Sequence, residues 1–165
     1  MLQIKKKIFA TKFNVLEQDF IKIIRIIDDA GSSRFAQRKT IKFHESDYIL
    51  TCEELLNDDF SIKQYHYNFT GKDYNGNTQL VFGFHNQSKT RDKRYQTDSD
   101  PYHIHLSKLI EFTTMDRLDN FEHEELPQII ELIGILLQFE KHLLKREATK
   151  PLPTKKQHRQ GKRQG

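Results

Sequence analysis

The chain has 165 residues, 36% hydrophobic and 30% charged, which is enough apolar mass for one core but not two; a single domain over residues 1–145 is predicted, with residues 146–165 outside it. The lone cysteine, Cys52, excludes an internal disulfide and sits in no metal knuckle or thiol-enzyme signature, which fits a reducing compartment such as the cytoplasm. The net charge of +4 is carried by the C-terminal end, where residues 145–165 hold eight Lys or Arg against one Glu, so the rest of the chain is net acidic.

In chain order, Lys12 interrupts the apolar stretch that follows the first charge run, so no secretory leader is expected. Asn14 and Glu17 read as an N-cap and its N3 partner. Leu16, Phe20, Ile23, Ile24 and Ile27 then recur at helical spacing, predicting a helix that Gly31 closes. Residues 39–43 and 48–54 alternate as two strands around the turn HESD. Residues 62–69 and 80–86 alternate again, joined through Asn75-Gly76, a pair in which both residues tolerate positive φ. Residues 87–100 are polar without apolar periodicity and read as a solvated loop closed by Pro101.

Residues 102–106 form a fifth alternating run. Residues 124–144 read as a long helix with Pro127 in its first turn and a buried stripe of Leu126, Ile129, Ile130, Ile133, Leu136, Leu137, Leu143 and Leu144. The most apolar run, Ile129 to Leu137, contains Glu131 and is far short of the roughly 20 apolar residues of a membrane span. The terminal KPLPTKKQHRQGKRQG has one aliphatic residue and nothing to bury, which predicts a disordered basic tail. The fold class is therefore α+β: a mainly antiparallel sheet of about five strands packed on two helices.

Strand parity separates the side chains by chemistry, because neighbours along a strand point to opposite faces. Tyr65, Tyr67 and Phe69 oppose Gln64, His66 and Asn68. Leu80, Phe82 and Phe84 oppose Gly83 and His85, and Tyr102, Ile104 and Leu106 oppose His103 and His105. If the strands are neighbours, His66, His85, His103 and His105 converge on one exposed surface, away from the aromatic side. Imidazole titrates near neutral pH, so one ring could take the 2′-hydroxyl proton of RNA while another protonates the leaving oxygen. Lys89, Arg91, Lys93 and Arg94 follow in the next loop and suit phosphate binding, with Arg91 and Arg94 able to stabilise developing charge.

This reading requires no metal and no cofactor. The alternatives are an ordinary polar sheet face, or a Zn or Mn site on His103 and His105 with His85, for which carboxylates are not evident at strand positions. In the tail, Lys155, Lys156, Arg159, Lys162 and Arg163 provide attraction to RNA or to an acidic partner. DYNGN fails as a calcium loop, since Gly71 and Phe82 would fall where carboxylates belong. Phosphate-cradling glycine loops and serine or cysteine nucleophile motifs are missing. Tyr65, Tyr67, Phe82 and Phe84 have core parity rather than the parity of a base-stacking platform.

The ordered motifs Tyr48-Ile-Leu-Thr-Cys-Glu53, Tyr65-His-Tyr67, Phe82-Gly-Phe-His-Asn86 and Pro101-Tyr-His-Ile-His105 resemble the TumE family of bacterial toxin-antitoxin modules over about residues 39–137. In that family the corresponding places hold an acidic strand end, a YxY strand, an FRxDN-like motif and a PHHxH-like motif. Asn86, Pro101, His103 and His105 match. Gly83 stands where the family has Arg, His85 where it has Asp, and Tyr102 where it has the first His; Arg91 or Arg94 could replace the missing cation. The resemblance implies a growth-inhibiting toxin that acts on RNA and is neutralised by a small antitoxin protein.

Overall fold

A computed structural model describes residues 7–73, 75–86, 102–107, 115–119 and 125–148. Among them are a short helix α1 (Phe13–Asp19), seven strands and a long helix α2 (Leu126–Ala148). The strands are β1 (Ile24–Asp29), β2 (Ala36–Phe43), β3 (Ile49–Leu56), β4 (Ile62–Lys72), β5 (Thr78–His85), β6 (His103–Ser107) and β7 (Met115–Asp119). They form one sheet in the order of the chain, β1 through β7, and every pair is antiparallel.

One face of the sheet carries the core. The register sets Ile27, Ile41, Leu50, Phe69, Phe82 and Leu106 in a single row across six strands. Ile41, Leu50, Phe69 and Phe82 are buried in one cluster with Phe43, Tyr65, Tyr67 and Phe84. Phe13 and Leu16 of α1 and Leu126, Ile129, Ile130 and Ile133 of α2 belong to the same cluster. Burying a side chain of this size contributes about 1.5–3 kcal/mol, so this face accounts for most of the stability. Tyr65, Tyr67, Phe82 and Phe84 are thus core residues, as their parity requires.

Three expectations are corrected. The predicted helix through Ile27 ends at Asp19, and Ile24–Asp29 is β1. The β-branched Ile23, Ile24, Ile26 and Ile27 lose side-chain freedom in a helix, whereas in extended form residues 24–29 pair with the edge of β2. Asn14 lies inside α1, whose N-cap is Lys12, and Glu17 instead accepts a hydrogen bond from Ile27 N at 3.1 Å. Gly31 does adopt a left-handed φ of 95°, but in the β1–β2 turn. There Asp29 accepts from Ser32 N and Gly31 N, and these bonds, Ser32 foremost, hold its carboxyl down to about 2.

The second correction is β7, which extends the sheet beyond the five predicted strands. The third concerns α2, whose stripe is fully buried only as far as Ile133, with Leu137 partly buried against the core. Leu136, Leu143 and Leu144 are exposed, and in this half the helix is tied by polar contacts, Glu140 accepting from Tyr48 Oη and Lys141 pairing with Glu45. In the β4–β5 turn Gly76 takes positive φ. No helix among the described residues is long and apolar enough to cross a membrane.

Candidate functional site

The opposite face carries a polar row built by the same register. Arg38 on β2 stands opposite Glu53 on β3, Glu53 opposite His66 on β4, and His66 opposite His85 on β5. His85 in turn faces His103 on β6, and His103 pairs in register with Asp119 on β7. Two residues along each strand, Thr51, Asn68, Gly83 and His105 form the adjacent row. Directly opposite residues of antiparallel strands share a face and lie within side-chain reach. All four predicted histidines therefore meet.

At one end, Arg38 Nε donates to Glu53 Oε1 at 2.7 Å, and Glu53 Oε2 is 3.4 Å from His66 Nδ1. The guanidinium of Arg38 holds the Glu53 carboxyl below the usual range, with a smaller contribution from His66. The other nitrogen of His66, Nε2, is 2.9 Å from the Gln64 side-chain nitrogen. The amide must donate there, so the Nδ1 proton faces Glu53 and the Nε2 lone pair faces Gln64. This is the acid-oriented imidazole arrangement that prepares a ring for proton transfer.

In the middle, the His66 and His85 ring centroids are 4.9 Å apart, and His85 Nε2 lies 2.7 Å from Asn68 Oδ1. At the far end, His103 and His105 approach with their Nε2 atoms 3.0 Å apart, and the centroid of His85 is 5.6 Å from that of His103 and 4.6 Å from that of His105. Gly83 makes this crowding feasible: a Cβ there would stand 2.5 Å from Asn68 Oδ1 and 3.0 Å from His85 Nε2.

The surface is less open than the sequence implies. His103 is 1% exposed, while His66, His85 and His105 are partly buried. β7 is the reason the sequence missed: it pairs along the outer side of β6 and makes that strand interior. Lys89, Arg91, Lys93 and Arg94, and the tail residues Lys155, Lys156, Arg159, Lys162 and Arg163, lie outside the described residues.

Sequence reasoning also missed Arg38, Glu53, Gln64 and Asn68 as members of the site. The signal was available in part, since Glu53 occupies the acidic strand end in the motif series, but pairing it with His66 requires the β3–β4 register. The neighbouring acid Glu54 points the other way and is fully buried, accepting from Tyr67 Oη at 2.8 Å and from the backbone and hydroxyl of Thr11. It anchors the N-terminal segment to the core face. Cys52, beside it on that face, has its thiol pushed up by burial and is chemically quiet.

No protein-family model matches the chain, and neither the curated proteins nor the solved structures contain a significant match.

Proposed function

We propose that the protein is a toxin-like ribonuclease of a toxin-antitoxin module, neutralised by a small antitoxin protein, and that the histidine row is its catalytic centre. The observation that carries this reading is the unbroken contact series from Arg38 through Glu53 and His66 to the cluster of His85, His103 and His105. In the reaction the RNA 2′-oxygen attacks the adjacent phosphorus and its proton passes to His66 Nε2, displacing Gln64 from that lone pair. The bond from phosphorus to the 5′-oxygen breaks, and the cluster at the other end of the row supplies positive charge to the phosphate and a proton to the leaving oxygen. The basic residues 89–94 and the tail supply further affinity for the RNA backbone. The ordered motifs shared with TumE-like toxins support the same substrate class.

The test is cleavage of a labelled single-stranded RNA. His66→Ala, and separately His103→Ala with His105→Ala, should each lower the rate by about 100-fold or more with the far-ultraviolet circular dichroism unchanged. Undiminished cleavage in folded variants removes the assignment. The strong positive charge of the tail favours one competing reading, a non-catalytic module that binds nucleic acid or a protein through the basic loop and tail. Deleting residues 146–165 separates the two: a binding module loses its affinity and its steep salt dependence, whereas an enzyme retains turnover.

A further inference from the structure

The end of the row formed by His85, His103 and His105 has a geometry that proton transfer alone does not require. Each ring offers one nitrogen, and these three atoms all lie within 4.8 Å of one another. His103 and His105 are two apart on β6 and so share a face. His85 faces His103 directly across the β5–β6 ladder. Each ligand therefore comes from a paired strand rather than a loop, the kind of platform that fixes side chains within tolerances a metal needs. In a tetrahedral zinc site with bonds of about 2.0–2.1 Å, ligand nitrogens stand roughly 3.3 Å apart. The 3.0 Å between the Nε2 atoms of His103 and His105 is within a few tenths of an ångström of that.

We infer that His85, His103 and His105 form a binding site for one divalent transition-metal ion of the zinc class. Three imidazoles with no cysteine select a borderline cation, while Mg²⁺ and Ca²⁺ prefer oxygen donors. Among the described residues the set is three histidines, the protein-ligand count of catalytic zinc sites, where water or a substrate oxygen takes the fourth position.

The surroundings fit. Metal-binding histidines are held by outer partners, and Asn68 Oδ1 at 2.7 Å from His85 Nε2 is such a partner. Gly83, opposite His105 in the register, leaves the space over which Asn68 and His85 meet. The burial of His103 keeps the site out of bulk water on one side, which strengthens the charge of a bound ion. Outside the cluster, His66 is engaged with Glu53 and Gln64 and is left as the proton-transfer group.

The use of this ion rests on the ribonuclease reading: a bound cation would neutralise the phosphate in place of a protonated imidazole, and a water it holds would give the leaving oxygen the proton that the ligating rings could no longer supply. Its binding does not rest on that reading. The experiment is therefore a binding measurement on the full chain after dialysis against chelator, using Co²⁺ absorption in the visible and competition by Zn²⁺, with RNA cleavage followed in parallel. One equivalent of Co²⁺ should bind with tetrahedral absorption, and Zn²⁺ should displace it.

Outer-shell changes cost roughly 10–100-fold in metal affinity, so His105→Asn, His85→Asn and His103→Ala should each lose more than about 100-fold. His142→Ala, on the exposed face of α2, should change nothing. Lack of saturable binding by the native chain, a measurement that needs no variant to fold, would overturn the site. So would binding that survives His85→Asn and His105→Asn together. Metal binding without RNA cleavage upholds the site and ends the ribonuclease reading; cleavage by a chain that binds no metal does the reverse.

Discussion

The two faces of the sheet are built by one register from the same strands, yet they differ in what decides each position. On the core face, the row from Ile27 through Ile41, Leu50, Phe69 and Phe82 to Leu106 is held by water exclusion, which is non-directional and tolerates any apolar residue of the right size. On the other face, the row Arg38, Glu53, His66, His85 and His103 is held by directed polar contacts from Arg38 to His66 and by edge-to-face ring contacts from His66 to His103. Stability resides in the first row, and the proposed chemistry belongs to the second. A substitution should therefore act mainly on one property, according to its face.

The sharpest way to break that division is Leu50→Ala. Leu50 is fully buried, and the cavity left should lower unfolding free energy by about 2–5 kcal/mol in denaturant titrations while RNA cleavage by the remaining folded fraction stays unchanged. A cleavage defect as large as that of His66→Ala would show that the faces are not separable. A smaller effect is expected from Gly83→Ala, whose new methyl group would meet Asn68 and His85. Such overpacking costs about 1–3 kcal/mol, and because Asn68 and His85 must move, cleavage or metal affinity should fall further than stability does.

The smallest effect concerns Arg38→Gln. Arg38 is the main cause that keeps the Glu53 carboxyl ionised below its ordinary range, so the variant should raise the Glu53 titration midpoint seen by carbon NMR. A carboxyl with a depressed folded-state pKa stabilises the fold above its unfolded value, about 4.3, and that contribution disappears as pH falls through the lower folded value. The wild type should thus lose more stability than Arg38→Gln over this acidic window, by less than about 1 kcal/mol for so exposed a pair. An unmoved Glu53 midpoint would mean that Arg38 does not orient the row.

The sequence made the core face far more legible than the polar one, and the reason is physical. Alternation in residues 62–69, 80–86 and 102–106 follows from burial of every second side chain, and β4, β5 and β6 lie where it places them. Ile23, Ile24 and Ile27 fit helical and extended spacing alike, so local pattern could not choose; pairing with β2 did. Met115–Asp119 has three charged residues in five and no alternation to reveal β7, and without β7 the burial of His103 was invisible. The four histidines could be assigned to one face by counting, but Arg38 and Glu53 join them only through cross-strand pairing. Parity alone also named His85, His103 and His105 as a possible metal set, but that their nitrogens stand within reach of one another follows only from the β5–β6 pairing.

Because each strand pairs only with its neighbours in sequence, the sheet can be assembled without any long-range crossover. Pairing within the sheet is therefore local for a β-rich protein, and the long-range contacts are those that bring α2 onto the core beside α1. Folding should be faster than for a Greek-key sandwich of equal length, and the imidazole cluster, confined to consecutive strands β4 to β6, can take shape before the flanks are complete.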